Sequence, residues 1–253
     1  MTLSELVQKK VVLLNMNFLK PRLIIFFIAL IGLNPLGQIQ LLIAQTSSVG
    51  NEASYTASKK SVATTKAGIH LDRISEDSLS HLFTNLLTKQ IIPHWLGTPW
   101  SFEGHTSVPG SGEIACGYFV STTLKDVGFN LDRYKFAQQR PIHEAKTLAI
   151  GKPLLEINNN STTERITILK DKLKEGIYFI GFDQSHVGYI QKKNGELFVI
   201  HSNYIGSEGV VIERINDSQV FSYYTRIFIA DISHNAALMK KWVKGEPIQV
   251  ILE

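Results

Sequence analysis

Apolar residues along this chain fall first into a helical rhythm and then into a strand rhythm. Leu79, Leu82, Phe83, Leu86 and Leu87 recur at the spacing of one helix face, with Ser75 or Ser78 available as N-cap and Pro93 as a stop. Residues 115–127 predict a second helix, in which Phe119, Val120, Thr123, Leu124 and Val127 share a broad face and Gly128 follows the C-cap. Between the two, residues 94–112 are dense in Gly, Pro and Ser. They carry Trp95, Trp100 and Phe102, which predicts a loop whose aromatic rings pack. Residues 131–165 predict a short helix before Pro141, another around 143–150 and a polar break at 158–163, with no function assigned to them.

Beyond Arg165 the grammar changes. Residues 177–182, 186–191, 196–201, 210–213 and 225–231 are short β-branched or aromatic runs divided by turn signals, among them Asn194-Gly195. Helices first and antiparallel strands afterwards define an α+β chain with segregated layers.

The N-terminal stretch has a different pattern. A basic segment at 17–22 precedes an unbroken apolar run at 23–33, the layout of a signal peptide. Leu42-Ile43-Ala44 offers a cleavage point that puts the mature start near Gln45 or Thr46, and residues 1–15 read as a start-site extension. The alternative is an uncleaved anchor across 23–44. Either way the expected location is secreted, periplasmic or cell-envelope. Residues 46–70 are Ser, Thr, Ala and Lys with few bulky side chains, which predicts a flexible linker, and 71–253 is then the folded domain.

Charge removes one class of function. The chain has 253 residues with a formal charge of +4, of which Lys9, Lys10, Lys20 and Arg22 against Glu5 carry +3. The remaining 22 basic and 21 acidic residues nearly cancel, so no nucleic-acid groove is indicated. A single cysteine, Cys116, excludes an internal disulfide and any metal site built on several thiolates. No metal or organic cofactor is called for, and a monomer is expected.

Cys116 opens the second predicted helix. A helix N-terminus and a nearby imidazole both lower a thiol pKa and make it nucleophilic. His186 begins a strand just after a turn at 183–185, and His201 ends the next strand across the Asn194-Gly195 hairpin. His186 lies 8 residues before Asn194 and His201 6 after Gly195, so the two are expected as near-opposite neighbours on one sheet rim, with His201 or Asn203 orienting His186. The bland reading is a buried filler thiol and two polar edge residues. A free thiol retained in an oxidising compartment shifts the balance toward a chemical role.

These tracts carry a resemblance. A helix, then Leu96-Gly97-Thr98-Pro99-Trp100, then Cys116 at a helix start, then 173–181, then Ser185-His186-Val187-Gly188-Tyr189-Ile190 and Phe198-Val199-Ile200-His201-Ser202, is similar to the NlpC family of papain-like cysteine peptidases over roughly residues 79–231. The resemblance implies a papain-like fold with N-terminal helices on an antiparallel sheet. It also implies a secreted hydrolase cutting amide bonds in peptidoglycan stem peptides, with Cys116 as nucleophile, His186 as base and His201 as orienting residue. Trp100 stands where the family has an oxyanion-hole Tyr, and Ser185 and Asn203 join it as oxyanion or substrate-binding positions. The family's Asp-Cys-Ser-Gly stretch is Ala115-Cys116-Gly117-Tyr118 here, and the insertion before Leu173 is longer than the family's. Two other readings compete: a thiol-dependent amidase or acyltransferase on another amide, and a non-catalytic envelope binding domain with a papain-like shape.

Overall fold

The structure is a computed structural model that describes residues 52–183, 185–205 and 209–252. The expected signal peptide or anchor at 1–45 lies outside the described residues. Among those described, no helix is long and apolar enough to cross a membrane.

Among the described residues, six antiparallel strands form one sheet: β1 (Leu155–Asn158), β2 (Gly176–Phe182), β3 (His186–Lys193), β4 (Glu196–Asn203), β5 (Gly209–Arg214) and β6 (Arg226–Asp231), in the order β1-β6-β2-β3-β4-β5. Five of them match the predicted runs to within two residues at either end, because alternating apolar positions and turn residues specify strands locally. Asn194 and Gly195 both have positive φ, 54° and 78°, the conformation of a two-residue hairpin whose twist matches the strands. The Glu175 carboxylate accepts the N–H groups of both turn residues, at 2.7 and 2.8 Å.

The helices are α1 (52–67), α2 (Glu76–Asn85), α3 (Cys116–Asp126), α4 (Arg133–Ala137), α5 (Pro141–Ala149), α6 (Thr162–Lys172), α7 (Gln219–Tyr223) and α8 (Ala236–Lys244). Ser75 caps α2, its hydroxyl accepting from the Ser78 N–H. A π-helical turn (Leu86–Ile91) and a 3₁₀ turn (Ile92–Trp95) prolong α2 past the expected stop at Pro93, which fits the first turn of a 3₁₀ segment, and deliver Trp95 to the core. The sheet is covered on both faces. Ile177, Phe179, Tyr189 and Ile200 meet α1, α2, α3, α5 and α8 on one side, while Tyr178, Ile180, Phe182 and Val199 meet α6 and α7 on the other. This explains why β2 reads as one continuous apolar run: every residue of it is buried.

Two expectations are corrected. The tract read as a flexible linker contains α1, and Tyr55 and Val62 on its inner face are buried in the main core. Two bulky residues seven positions apart lie on one helix face, and burying a side chain of this class contributes about 1.5–3 kcal/mol. The Tyr55 hydroxyl donates to Asp126 at 2.6 Å and accepts from Trp95 Nε1 at 2.9 Å, tying α1 to two other elements. A composition averaged over the whole tract hides this stripe. The second correction concerns Phe102, expected to pack, which is 80% exposed.

Candidate active site

Cys116 is the first residue of α3, held there by contacts on both sides of it. The Ser202 hydroxyl donates to the Ile114 carbonyl at 2.6 Å, and the Ala115 N–H donates to Gly104 O at 2.8 Å, fixing the chain just before the helix to β4 and to the preceding loop. On the helix itself, Thr123 and Val120 O engage the Tyr189 hydroxyl at 2.7 and 3.1 Å, which locks α3 over β3. No side chain caps α3. Its first-turn N–H groups are therefore left beside the cavity that Cys116, Gly117 and Tyr118 line.

That cavity has a volume of about 600 Å³, well within the range for small-molecule and peptide sites. Cys116, His186 and Val187 form part of its wall, with Trp100, Tyr204 and Tyr224 around them. The sequence-predicted thiol and imidazole thus share one cavity. No hydrogen bond joins them among the described residues.

The two histidines are linked as predicted, with one refinement. The strand register pairs Tyr189 with Ile200, so His186 and His201 sit on one face of adjacent strands, offset by two residues rather than directly opposite. It is the face of Phe182 and Val199, toward α6 and α7, while Cys116 packs with the core on the other face, so the thiol and the imidazole reach the cavity from opposite sides of the sheet rim. His186 Nε2 lies 2.8 Å from His201 Nδ1. Gly188 makes room: a Cβ there would lie 2.8 Å from the His201 Cβ. His201 Nε2 in turn lies 3.1 Å from Glu213 Oε1 on β5. His186, His201 and Glu213 form a row across three strands. Sequence reading missed Glu213, because no two-residue turn signal like Asn194-Gly195 stands between β4 and β5 to fix their register from local residues.

Electrostatics orders this row. Loss of water alone would raise the Glu213 carboxyl, but hydrogen bonds from His201 and Ser218 outweigh that and hold it below the usual carboxylate range. Glu213 is therefore ionised at neutral pH and accepts from His201 Nε2–H. Burial, and secondly the neighbouring His201, holds His186 well below the ordinary histidine value. In the neutral pair His201 Nδ1 then accepts, His186 Nε2 donates, and the His186 nitrogen left unprotonated is Nδ1, an assignment that follows from the network.

The thiol departs from expectation. Cys116 keeps an opening to the cavity, yet its sulfur lies deep enough that desolvation pushes it up to about 11, aided by Glu144 and opposed by the Val187, Gly117 and Cys116 backbone N–H groups. A helix N-terminus alone does not give a resting thiolate here, because loss of water costs the charged form more than these donors return.

The other predicted positions separate. Trp100 lines the cavity with its ring 5.8 Å from Tyr204, whose own ring is 5.2 Å from His186. Ser185 is exposed on the rim, its hydroxyl 2.7 Å from that of Tyr224. Asn203 Oδ1 accepts the Ile205 N–H at 2.9 Å, and the side chain within hydrogen-bond distance of His186 Nε2 is His201. Tyr204 and Glu144 also lie on the cavity wall and were not read from the sequence, since neither stands in a pattern that marks it. Among the described residues no cluster of three His, Cys, Asp or Glu side chains has the arrangement of a metal site. No protein-family model, curated protein or solved structure matches this chain.

Proposed function

We propose that this chain is a thiol-dependent hydrolase of amide bonds with a papain-like arrangement, acting in the cell envelope on peptidoglycan stem peptides. The observation that carries the reading is the row His186, His201, Glu213 ending in the cavity that holds Cys116. Each member of that row fixes the tautomer of the next and leaves a basic nitrogen on the one imidazole that shares the cavity with the only thiol.

In this reading a substrate carbonyl enters between Cys116 and the Trp100 loop. His186 Nδ1 takes the thiol proton as the sulfur attacks the carbonyl carbon, and the resulting imidazolium is stabilised through His201 by the Glu213 carboxylate. The oxyanion meets the uncapped N–H groups at the start of α3, where one donor contributes about 3 kcal/mol. His186 then delivers the proton to the leaving amine, and water resolves the acyl-enzyme by the same path in reverse. The buried neutral thiol supports proton transfer coupled to attack rather than a standing ion pair.

The same buried thiol favours a second reading, a non-catalytic envelope binding domain in which Cys116 is inert. One experiment separates the two: the pH dependence of Cys116 alkylation by iodoacetamide in the wild type and in His186→Ala, followed by incubation with peptidoglycan fragments. Alkylation that depends on His186, together with release of new amino termini, supports the hydrolase. A thiol that reacts only on unfolding supports the binding domain.

A further inference from the structure

Among the described residues, no polar atom of the row on the sheet is both buried and without a partner. Across the cavity, on the helical side, one polar group is unaccounted for. Glu144 on α5 is 1% exposed, lines the cavity that holds Cys116, and its Oε2 has no hydrogen-bond partner. Its position is built into the packing. A Cβ at Gly117, the residue after the thiol, would lie 3.3 Å from Glu144 Oε1 and 2.7 Å from Ala137 O, so the absence of a side chain there is what lets the carboxyl stand against the start of α3.

The groups that face Glu144 decide its charge. From α3 it faces Cys116, whose thiolate would repel a carboxylate. From β3 it faces Tyr189, whose hydroxyl is already committed to Thr123 and Val120 O. No lysine or arginine lines the cavity among the described residues. Burial therefore raises the carboxyl well above its usual range. A carboxylic acid kept neutral in an apolar setting keeps an O–H, and a buried O–H without a partner is a donor waiting for an acceptor.

We infer that Glu144 is a neutral acid that donates a hydrogen bond to an uncharged carbonyl oxygen of the bound acyl group, making it a substrate-binding residue beside the thiol. This rests on the hydrolase reading of the same cavity. The acceptor is uncharged because the cavity wall carries a second carboxyl, that of Glu103, and has no lysine or arginine among the described residues whose permanent charge would balance an anion, the one imidazole there being held in its neutral form. The substrate class is thus a neutral acyl group, an amide within a peptide, with the anionic parts of any larger substrate kept outside the cavity. Pairing the donor also removes the penalty of leaving it unsatisfied, so the interaction favours the occupied state.

The test uses the purified protein, its single thiol as reporter, and two neutral reagents: iodoacetamide, which carries a carbonyl, and dimethyl disulfide, which does not. Glu144→Leu removes the donor at similar volume, and Glu144→Gln restores a neutral N–H donor. The expected result is a loss of about tenfold in the iodoacetamide rate of Glu144→Leu, little change with dimethyl disulfide, and recovery of most of the loss in Glu144→Gln. An infrared band of a protonated carboxyl at pH 7, missing from both variants, is expected alongside.

Glu144→Leu reacting with iodoacetamide like the wild type overturns the inference while the hydrolase reading stands. The same holds if Glu144→Gln is as impaired as Glu144→Leu, which would mean that a charge is needed, or if the infrared band is absent. A wild-type thiol that neither reagent modifies overturns the hydrolase reading and this inference together.

Discussion

The two walls of the cavity are built on opposite principles. On the sheet wall, His186, His201 and Glu213 are wired to one another at 2.8 and 3.1 Å. On the helical wall, the Cys116 thiol and the Glu144 carboxyl are buried without a charged partner, and both are driven toward their neutral forms. A satisfied network rigidifies and holds a ring in one orientation, whereas an unsatisfied buried group costs stability until something binds it. In the proposed reading the sheet wall stores orientation, and the helical wall is where a substrate has something to gain. Changes to the sheet wall should cost activity, and changes to the helical wall should return stability.

The largest effect is expected at the junction of the two. In the proposed mechanism His186→Ala removes the base, and hydrolysis of a peptidoglycan peptide should then fall by about 10²- to 10⁴-fold. Its effect on stability should have a pH signature. A buried neutral histidine has its folded pKa below the unfolded value of about 6.5, so the unfolded chain takes up protons first as pH falls and the native state loses stability from there downward. Thermal melts between pH 8 and pH 5 should slope less in His186→Ala than in the wild type. Equal slopes would place the sensitivity elsewhere.

Glu213→Gln tests the far end of the row. It keeps the shape and removes the charge that selects the His201 tautomer. Since a hydrogen bond to a charged group is worth about 1.5–3 kcal/mol, the rate should fall by about ten- to a hundredfold with KM little changed. A variant that loses stability but keeps its rate and pH profile would reduce Glu213 to a structural contact. The carboxylate has a depressed folded pKa, so its contribution persists above the unfolded value of about 4.3 and disappears only at lower pH.

Glu144 should behave in the opposite sense. A folded pKa raised above the unfolded one means stability that is present in acid and lost as pH rises through the unfolded value. Glu144→Gln should therefore stabilise the protein at pH 7 and leave it nearly unchanged at pH 4, with Tm rising by about 2–4 °C for each kcal/mol recovered. A Tm that falls at pH 7 would mean that the carboxyl is held by partners and is not left for a ligand.

The same contrast explains what the sequence revealed. The strands, the hairpin, Cys116 at a helix start and the two histidines were legible because each depends on local signals: period-two apolar runs, a turn dipeptide, a helix face. Glu213, Glu144 and α1 were not, because each acquires its meaning only when distant segments meet. Glu213 matters through a pairing of β4 with β5 that no tight turn announces. Glu144 matters because Gly117 admits it, and α1 because Tyr55 finds Asp126 and Trp95, 71 and 40 positions away. Tyr55→Phe should destabilise the fold by about 1–3 kcal/mol, since it strands the buried Trp95 N–H as well as losing its own bond. β1 and α6 went unread for a plainer reason: β1 has only four residues and α6 follows a polar break that reads as loop.

Ser185 is the residue where the contrast between the walls predicts the smallest effect. It precedes His186 and belongs to the tract that suggested a role in binding, yet its side chain points to Tyr224 from an exposed position on the rim. A hydroxyl in contact with water loses little when removed, because solvent replaces its partner, and surface substitutions of this kind stay within about 0.5 kcal/mol. Ser185→Ala should change kcat and KM by less than about threefold and leave the alkylation rate of Cys116 unaltered. Tyr224 is the group on which this turns, since its hydroxyl also lies 3.1 Å from that of Tyr204, whose ring stands beside His186. If Ser185→Ala slows alkylation while Tyr224→Phe does not, the rim serine touches the substrate directly and orientation is not confined to the sheet wall. If both are silent, positioning of His186 belongs to His201 and Glu213, and the rim is only the edge of the cavity.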